Sequence, residues 1–149
     1  MAYDEARAEV VLFGGYRYAD ATHHILGDTW TWNGLNWTLH APAASPSIRR
    51  GHAMAYDAQR GNVVLFGGQN FEDGRKADTW TWDGTTWTQH FSAASPSPRN
   101  VHKMAYDAAR GEVVLFGGAG PNGTLGETWA WDGVKWNQRF PAAEPLPRL

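Results

Sequence analysis

The chain contains one unit three times, and this repetition restricts its possible folds more than any other feature. MAYDEARAEVVLFGG, MAYDAQRGNVVLFGG and MAYDAARGEVVLFGG begin at Met1, Met54 and Met104, so the period is 53 and then 50 residues. Each copy continues through a variable segment into a tryptophan-rich stretch: GDTWTWNGLNWTLH, ADTWTWDGTTWTQH or GETWAWDGVKWNQR. A period of this length indicates an array of equal structural modules.

Each unit predicts four short β-strands. The first ends in Ala55-Tyr56-Asp57, and the second is the continuous apolar run Val63–Phe66, a pattern that favours burial on both faces. The third, Asp78–Trp82, alternates with period two and places its two tryptophans on one side. The fourth is Thr85–Thr88, and Asp83-Gly84 before it predicts a two-residue type I′ turn. The unit therefore predicts a four-stranded antiparallel meander, typical of propeller blades.

Composition excludes several classes of function. The 149 residues include 13 Lys and Arg against 15 Asp and Glu, so no basic field is present for nucleic acid or an anionic membrane. No apolar run reaches the length of a membrane span, and the first residues lack the pattern of a signal peptide. We therefore expect a cytoplasmic chain by default, although the compartment stays open. The absence of cysteine excludes disulfides and thiol catalysis.

Di-glycines, paired tryptophans and connector arginines carry a resemblance to the kelch repeat. The Arg-x-x-His pattern occurs at Arg49 to His52 and at Arg99 to His102, and Arg148 stands at the third equivalent position. The residues of the kelch motif itself are Gly14, Gly15, Trp30, Trp37, Gly67, Gly68, Trp80, Trp87, Gly117, Gly118, Trp129 and Trp136. The resemblance covers essentially the whole chain. It implies an all-β fold of kelch-type β-propeller blades, with three four-stranded antiparallel blades per chain.

The expected organisation is a single kelch propeller segment, residues 1–149. Blades are expected at 1–41, 51–91 and 101–140, and Pro/Ala/Ser-rich connectors at 42–50, 92–100 and 141–149. Kelch propellers usually have about five to seven blades, so three blades span only an arc. A homodimer that closes a six-bladed ring is the simplest resolution. A natural or engineered fragment of a longer propeller is the alternative.

Residues that recur in every blade are expected to be structural. This applies to the tryptophans and to the Arg-x-x-His pairs. The recurring acids Asp28, Asp78 and Glu127 are expected to accept hydrogen bonds from backbone amides or from a neighbouring arginine. His23 and His24 with Asp20 form the one unrepeated cluster of ligand-type residues, for which we expect a plain loop and no metal.

The segment between the second and third strands differs in every copy, and it should leave the blade on the same face as the connectors. Variable loops on a rigid scaffold are the usual sites of recognition. The candidate binding residues on this face are Tyr16, Arg17, Tyr18, His23, His24, Asn70, Phe71, Arg75, Lys76, Asn122, Arg49, Arg50, Arg99 and Asn100.

The resulting functional hypothesis is a non-enzymatic scaffold that binds a protein or peptide, partners with itself and needs no cofactor. No nucleophile-elbow, P-loop or dinucleotide-binding pattern is present. The galactose-oxidase relatives of kelch propellers require a cysteine-modified tyrosine, which this chain lacks. The alternatives are a carbohydrate-binding or carbohydrate-processing bacterial propeller, and a half-propeller without a natural ligand.

Overall fold

A computed structural model describes residues 1–19 and 21–149, which form three four-stranded antiparallel sheets. Sheet 1 contains β1 (Ala2–Asp4), β2 (Glu9–Ala19), β3 (Thr22–Trp32) and β4 (Trp37–His40). Sheet 2 contains β5 (Ala53–Asp57), β6 (Asn62–Phe66), β7 (Thr79–Trp82) and β8 (Trp87–His90). The third repeat forms β9 (Lys103–Asp107), β10 (Glu112–Phe116), β11 (Ala119–Gly120), β12 (Gly123–Thr124), β13 (Thr128–Trp131) and β14 (Trp136–Arg139).

Strands follow chain order within each sheet. Sheet 3 consists of β9, β10, β13 and β14, whereas β11 and β12 pair only with each other. The all-β prediction and the predicted four-stranded antiparallel meander are confirmed. The described residues contain no helix long and apolar enough to cross a bilayer.

Each sheet has two faces of different composition, because side chains alternate along a strand. The tryptophan face carries the leucine of the second strand and the paired tryptophans, which in sheet 1 are Leu12, Trp30 and Trp37. The threonine face carries the phenylalanine of the second strand and the threonine opposite it, which in sheet 1 are Phe13 and Thr29. Both faces are largely apolar, so a sheet is covered completely only between two neighbours.

The sheets stack in series, with the tryptophan face of one on the threonine face of the sheet before it. Trp87 of sheet 2 donates its indole N–H to Thr29 of sheet 1 at 2.9 Å. Trp136 of sheet 3 donates to Thr79 of sheet 2 at 2.8 Å. One hydrophobic cluster lies at each of these two junctions. Val63–Phe66 belongs to both clusters and is fully buried, which confirms the prediction for this run.

Two faces have no neighbouring sheet within the described chain: the tryptophan face of sheet 1 and the threonine face of sheet 3. The same tryptophan position is 45% exposed at Trp37, but 2% at Trp87 and 1% at Trp136. On the threonine face, Phe66 is fully buried whereas Phe116 and Thr128 are only half-buried. The exposed fraction of these side chains therefore depends on whether a neighbouring sheet covers them, and not on the local sequence.

The turn after β7 differs from the predicted type. The Asp83 amide donates to the Thr86 carbonyl at 3.3 Å, so the turn centres on Gly84 and Thr85 and β8 begins at Trp87. Gly84 has a positive φ of 99° and Asp83 does not, whereas a type I′ turn at these two residues needs both. The Asp83 carboxylate accepts the amides of Thr85 and Thr86 at 2.8 and 2.7 Å, which holds the aspartate ahead of the turn. The type I′ prediction is wrong.

The variable segment of the first copy is a β-ribbon, not the loop that we expected. β2 and β3 continue past a bulge near Gly14, with Tyr16 opposite Ile25 and Tyr18 opposite His23. Aromatic and β-branched residues at these positions favour an extended pair of strands. The ribbon carries the candidate binding residues of the first repeat.

Candidate functional site

The connectors and the variable segments meet at one end of the stack, which we call the loop face. Arg50 and Gln69 exchange backbone hydrogen bonds at 2.9 Å, and Asn100 and Ala119 do so at 3.1 and 2.9 Å. Each connector thus adds an antiparallel bridge to the segment that follows β6 or β10. The loop face is therefore a backbone-bonded surface and not a set of independent loops.

The di-glycine of each repeat allows this close approach. Gly67 and Gly68 have positive φ values of 64° and 93°. A Cβ on Gly67 would lie 2.7 Å from the carbonyl oxygen of Arg99, and one on Gly68 would lie 2.9 Å from that of Arg50. Any larger residue would therefore push the two connectors away from sheet 2.

Arg49 and Arg99 do not reach the surface. Both are fully buried, and each crosses from its connector to the acid that precedes the third strand of the next sheet, Asp78 or Glu127. The Arg49 Nη1 and Nη2 atoms lie 2.7 Å from the two Asp78 carboxylate oxygens. This corrects the sequence-based placement of Arg49 and Arg99 on the binding surface. The contacts agree with the structural role expected for the recurring acids.

Asp78 is held as a carboxylate by this pair. Burial alone would raise its pKa, but the hydrogen bonds and charge of Arg49, with a 2.8 Å hydrogen bond from the Trp80 indole, lower the pKa below its usual value. The ion pair with Arg49 therefore persists across the physiological pH range. It links the second sheet to the connector that enters it.

The connector histidines are packing groups. Burial, followed by nearby positive charge, lowers the pKa of His52 and His102 to about 3, so both are neutral at physiological pH. His52 packs edge-on against Phe13 with ring centroids 5.7 Å apart, and His102 packs in the same way against Phe66 at 5.6 Å. A base this weak is poorly matched to proton transfer at neutral pH.

Arg50, next to the buried Arg49, occupies a different environment. Its guanidinium carbon lies 5.1 Å from the ring centroid of Tyr16 and 5.2 Å from that of Phe71. No carboxylate pairs with Arg50 among the described residues, and its Nε atom is buried without a hydrogen-bond partner. Two rings from different repeats thus hold one unneutralised cation.

A cavity of about 500 Å³ opens beside this cation on the loop face. Its walls come from all three repeats, and no carboxylate is among the residues that line it. They are Gly15, Tyr16, Arg50, Gly51, Gln69, Asn100 and Val101. The cavity is therefore positively charged at one side and offers amide donors and acceptors at the other.

The ribbon of sheet 1 carries five of the candidate residues. Tyr16 and Tyr18 pack against the ring of His23, and Tyr16 is also hydrogen-bonded to it. His24 bonds to the Thr22 hydroxyl at 2.6 Å, and Arg17 is exposed. No group of three metal-ligating side chains converges in the described part of the chain. Asp20, the third member of the predicted histidine cluster, lies outside it.

The variable segment of the second copy is organised by its own side chains. Asn70 is buried and accepts the amides of Glu72 and Asp73, so it shapes the segment instead of facing a ligand. Lys76 pairs with Asp73 at 2.7 Å. Phe71 is exposed apart from its contact with Arg50. The sequence pattern did not predict this contact.

The remaining candidates lie further round the loop face. Arg75 donates to the Asn100 side chain at 3.3 Å, beside the cavity. Asn122 is exposed at the tip of the short hairpin β11–β12. The structure therefore brings Tyr16, Arg50 and Asn100 together at one cavity and leaves Asn122 apart from it.

Comparison with known proteins agrees with this geometry. The family model for the KLHDC2/KLHL20/DRC7 kelch-repeats domain matches residues 2–148. A search of the curated proteins gives no match. Kelch-repeat domains are commonly protein-interaction scaffolds. With its four-stranded sheets, positive-φ di-glycines and paired tryptophans in every repeat, the chain belongs to the kelch-repeat family.

Proposed function

We propose that this chain is a binding scaffold whose loop face recognises a protein or peptide segment that carries a carboxylate. The observation that supports this most directly is the unneutralised guanidinium of Arg50 between the rings of Tyr16 and Phe71. Ring stacking uses the faces of a guanidinium and leaves the in-plane N–H donors available. Those donors match the two oxygens of a carboxylate.

The surroundings of Arg50 favour a peptide over other ligands. Gln69 and Asn100 line the same cavity and can pair with peptide N–H and C=O groups. A carbohydrate-processing site would need two carboxylates across the scissile bond. The cavity is lined by none, so the peptide hypothesis takes precedence over carbohydrate processing.

Replacing Arg50 with alanine should weaken peptide binding at least tenfold. Loss of charge-assisted hydrogen bonds costs about 1.5–3 kcal/mol, and 1.4 kcal/mol is a factor of ten. The ligand would be chosen by panning a random phage-displayed peptide library on the wild-type chain. We expect the selected peptides to contain Asp or Glu. Calorimetry on one such peptide would then compare wild type with Arg50→Ala.

Lys135→Ala provides the matched control, because Lys135 is an exposed cation in the turn before β14, at the opposite end of the sheet. It should bind the selected peptide as the wild type does. Binding that is unchanged in Arg50→Ala, or a set of selected peptides without acids, would contradict the proposed recognition.

We also propose that two copies of the chain close a six-bladed ring. The two unpartnered faces support this, because the tryptophan face of sheet 1 is the type that packs on a threonine face at both internal junctions. Sheet 3 presents a free threonine face of that kind. Contiguous apolar faces that are left uncovered commonly mark interfaces. Two arcs of three sheets give a closed assembly with twofold symmetry.

Light scattering coupled to size exclusion tests the ring directly. The expected species has about twice the 16.5 kDa mass of the chain and a narrow distribution, because a closed ring leaves no free face. A monomer at every concentration, or a ladder of higher oligomers, would contradict the closed dimer.

A further inference from the structure

This inference rests on the self-assembly proposed above and assigns the residues that complete it. At both internal junctions a connector arginine crosses to the next sheet. Arg49 pairs with Asp78 and donates to the Gly67 carbonyl at 3.0 Å. Arg99 pairs with Glu127 and donates to the Gly117 carbonyl at 3.1 Å.

The third connector presents Arg148 in the same backbone setting. The Gly118 amide donates to the Arg148 carbonyl at 2.9 Å, as the Gly15 amide donates to the Arg49 carbonyl at 2.9 Å. The Arg148 Nε donates to the Leu146 carbonyl at 3.0 Å, as the Arg49 Nε donates at 3.0 Å to the carbonyl two residues before it. Within the described chain, however, the terminal nitrogens of Arg148 have no acid to pair with, and the side chain is exposed.

Asp28 is the acid that complements Arg148. The Trp30 indole donates to it at 2.6 Å, as the Trp80 indole donates to Asp78 at 2.8 Å. Asp78 also binds an arginine from the preceding connector. Asp28 has no arginine partner among the described residues, although it occupies the same position in its repeat.

The two end faces, which are the tryptophan face of sheet 1 and the threonine face of sheet 3, are complementary at other points as well. Tyr56 and Tyr106 each accept an amide hydrogen bond from the first turn of the preceding sheet, at 3.2 and 3.0 Å. The equivalent Tyr3 is more than half exposed. At both internal junctions a tryptophan indole donates to a threonine hydroxyl. The Trp37 indole and the Thr128 hydroxyl are the equivalent donor and acceptor on the two end faces.

One position would make a junction between two copies chemically different from the internal junctions. At the internal junctions His40 packs edge-on against Trp82, and His90 against Trp131, with ring centroids 5.3 and 5.4 Å apart. Arg139 occupies the histidine position in sheet 3. Its guanidinium pairs with Glu112 of the same sheet at 2.6 Å. A second copy would therefore place the indole of its Trp32 beside this paired guanidinium instead of beside an imidazole, and a guanidinium can also contact an aromatic ring favourably.

We infer that Arg148 of one copy forms a buried ion pair with Asp28 of a second copy, and that two such pairs close the ring. Both residues belong to the same chain, so a second copy of this chain supplies a partner for each of them. The pair would also set the direction of assembly, since it forms only when the third connector of one copy enters the first sheet of the other.

Charge reversal with rescue between chains tests this inference. Arg148→Glu and Asp28→Arg should each weaken the dimer by roughly a hundredfold or more, because each homodimer would contain two like-charge contacts. Mixing the two variants in equal amounts should restore a dimer of wild-type stability. In that heterodimer one junction is Glu–Arg and the other is the original pair. Analytical ultracentrifugation gives the dissociation constants, and tryptophan fluorescence confirms that each variant is folded.

Arg75→Glu is the matched control, since Arg75 is an arginine of the loop face away from both end faces, and this variant should dimerise normally. A wild-type dimer that both reversals leave intact would overturn the ion pair while the ring stands. Two monomeric variants that form no dimer when mixed would also overturn the ion pair. A wild-type chain that stays monomeric would overturn the ring and the ion pair together.

Discussion

Replacing Trp87 with alanine is expected to lower the free energy of unfolding by about 3–5 kcal/mol. The side chain is 2% exposed and packs against Phe13 and Trp82, with ring centroids 5.4 Å away in both cases. Its loss leaves a cavity between two sheets and an unpaired hydroxyl on Thr29. Urea denaturation followed by circular dichroism gives the value, because removing an indole changes the fluorescence signal itself.

Trp37→Ala is the control with the same residue type at the same position of the repeat. Trp37 is 45% exposed in the single chain, so less apolar surface is lost and water can fill the space. We expect a cost below about 1.5 kcal/mol for unfolding of the dilute chain. In concentrated samples the same change should weaken self-association. Equal costs for the Trp87 and Trp37 variants would contradict the stacking of sheets 1 and 2.

Replacing Arg49 with alanine is the second change of large expected effect, about 3 kcal/mol of destabilisation. The guanidinium is fully buried, and its removal takes away two hydrogen bonds to the Asp78 carboxylate and one to the Gly67 carbonyl, which leaves the Trp80 indole on Asp78. The pKa of Asp78 should rise toward or above its usual value, since burial then acts without the opposing cation. Urea denaturation at neutral pH measures the loss.

Arg50→Ala provides the comparison, one residue further along the chain. Arg50 stacks on two rings but has no ion pair among the described residues, so its loss should cost less than about 1 kcal/mol of stability. The same variant is expected to lose peptide binding. An Arg50→Ala chain as unstable as Arg49→Ala would show that both arginines are structural and would weaken the proposed binding role.

The two arginines show where sequence reasoning about the site reached its limit. Both are polar residues in a connector, and both appeared as candidates for the loop face. The repeat indicated a structural role for Arg49, because Arg99 and Arg148 stand at equivalent positions. Nothing local to Arg50 indicated that Tyr16 and Phe71, from different repeats, would enclose it. That contact depends on how two sheets are placed relative to each other.

Two predictions about the fold were wrong for local reasons. The Asp-Gly pair indicated a type I′ turn, but hydrogen bonds from the Thr85 and Thr86 amides to the Asp83 carboxylate shift the turn by one residue. The segment after Gly14 was expected to be a loop, because its sequence differs in every copy. Its own residues, among them Tyr16, Tyr18 and Ile25, have the strand propensity that explains the pairing.

The three modules follow from the sequence alone. Its threefold repeat, its continuous apolar run at Val63–Phe66 and the alternation of Trp80 and Trp82 specify a four-stranded sheet, since these patterns arise from neighbours along the chain. Which of the three equivalent tryptophans is exposed depends on the tertiary structure. Trp37, Trp87 and Trp136 have nearly the same local sequence, and burial depends on whether another sheet covers them. Burial is a property of the assembled stack, so it is not encoded in any single repeat.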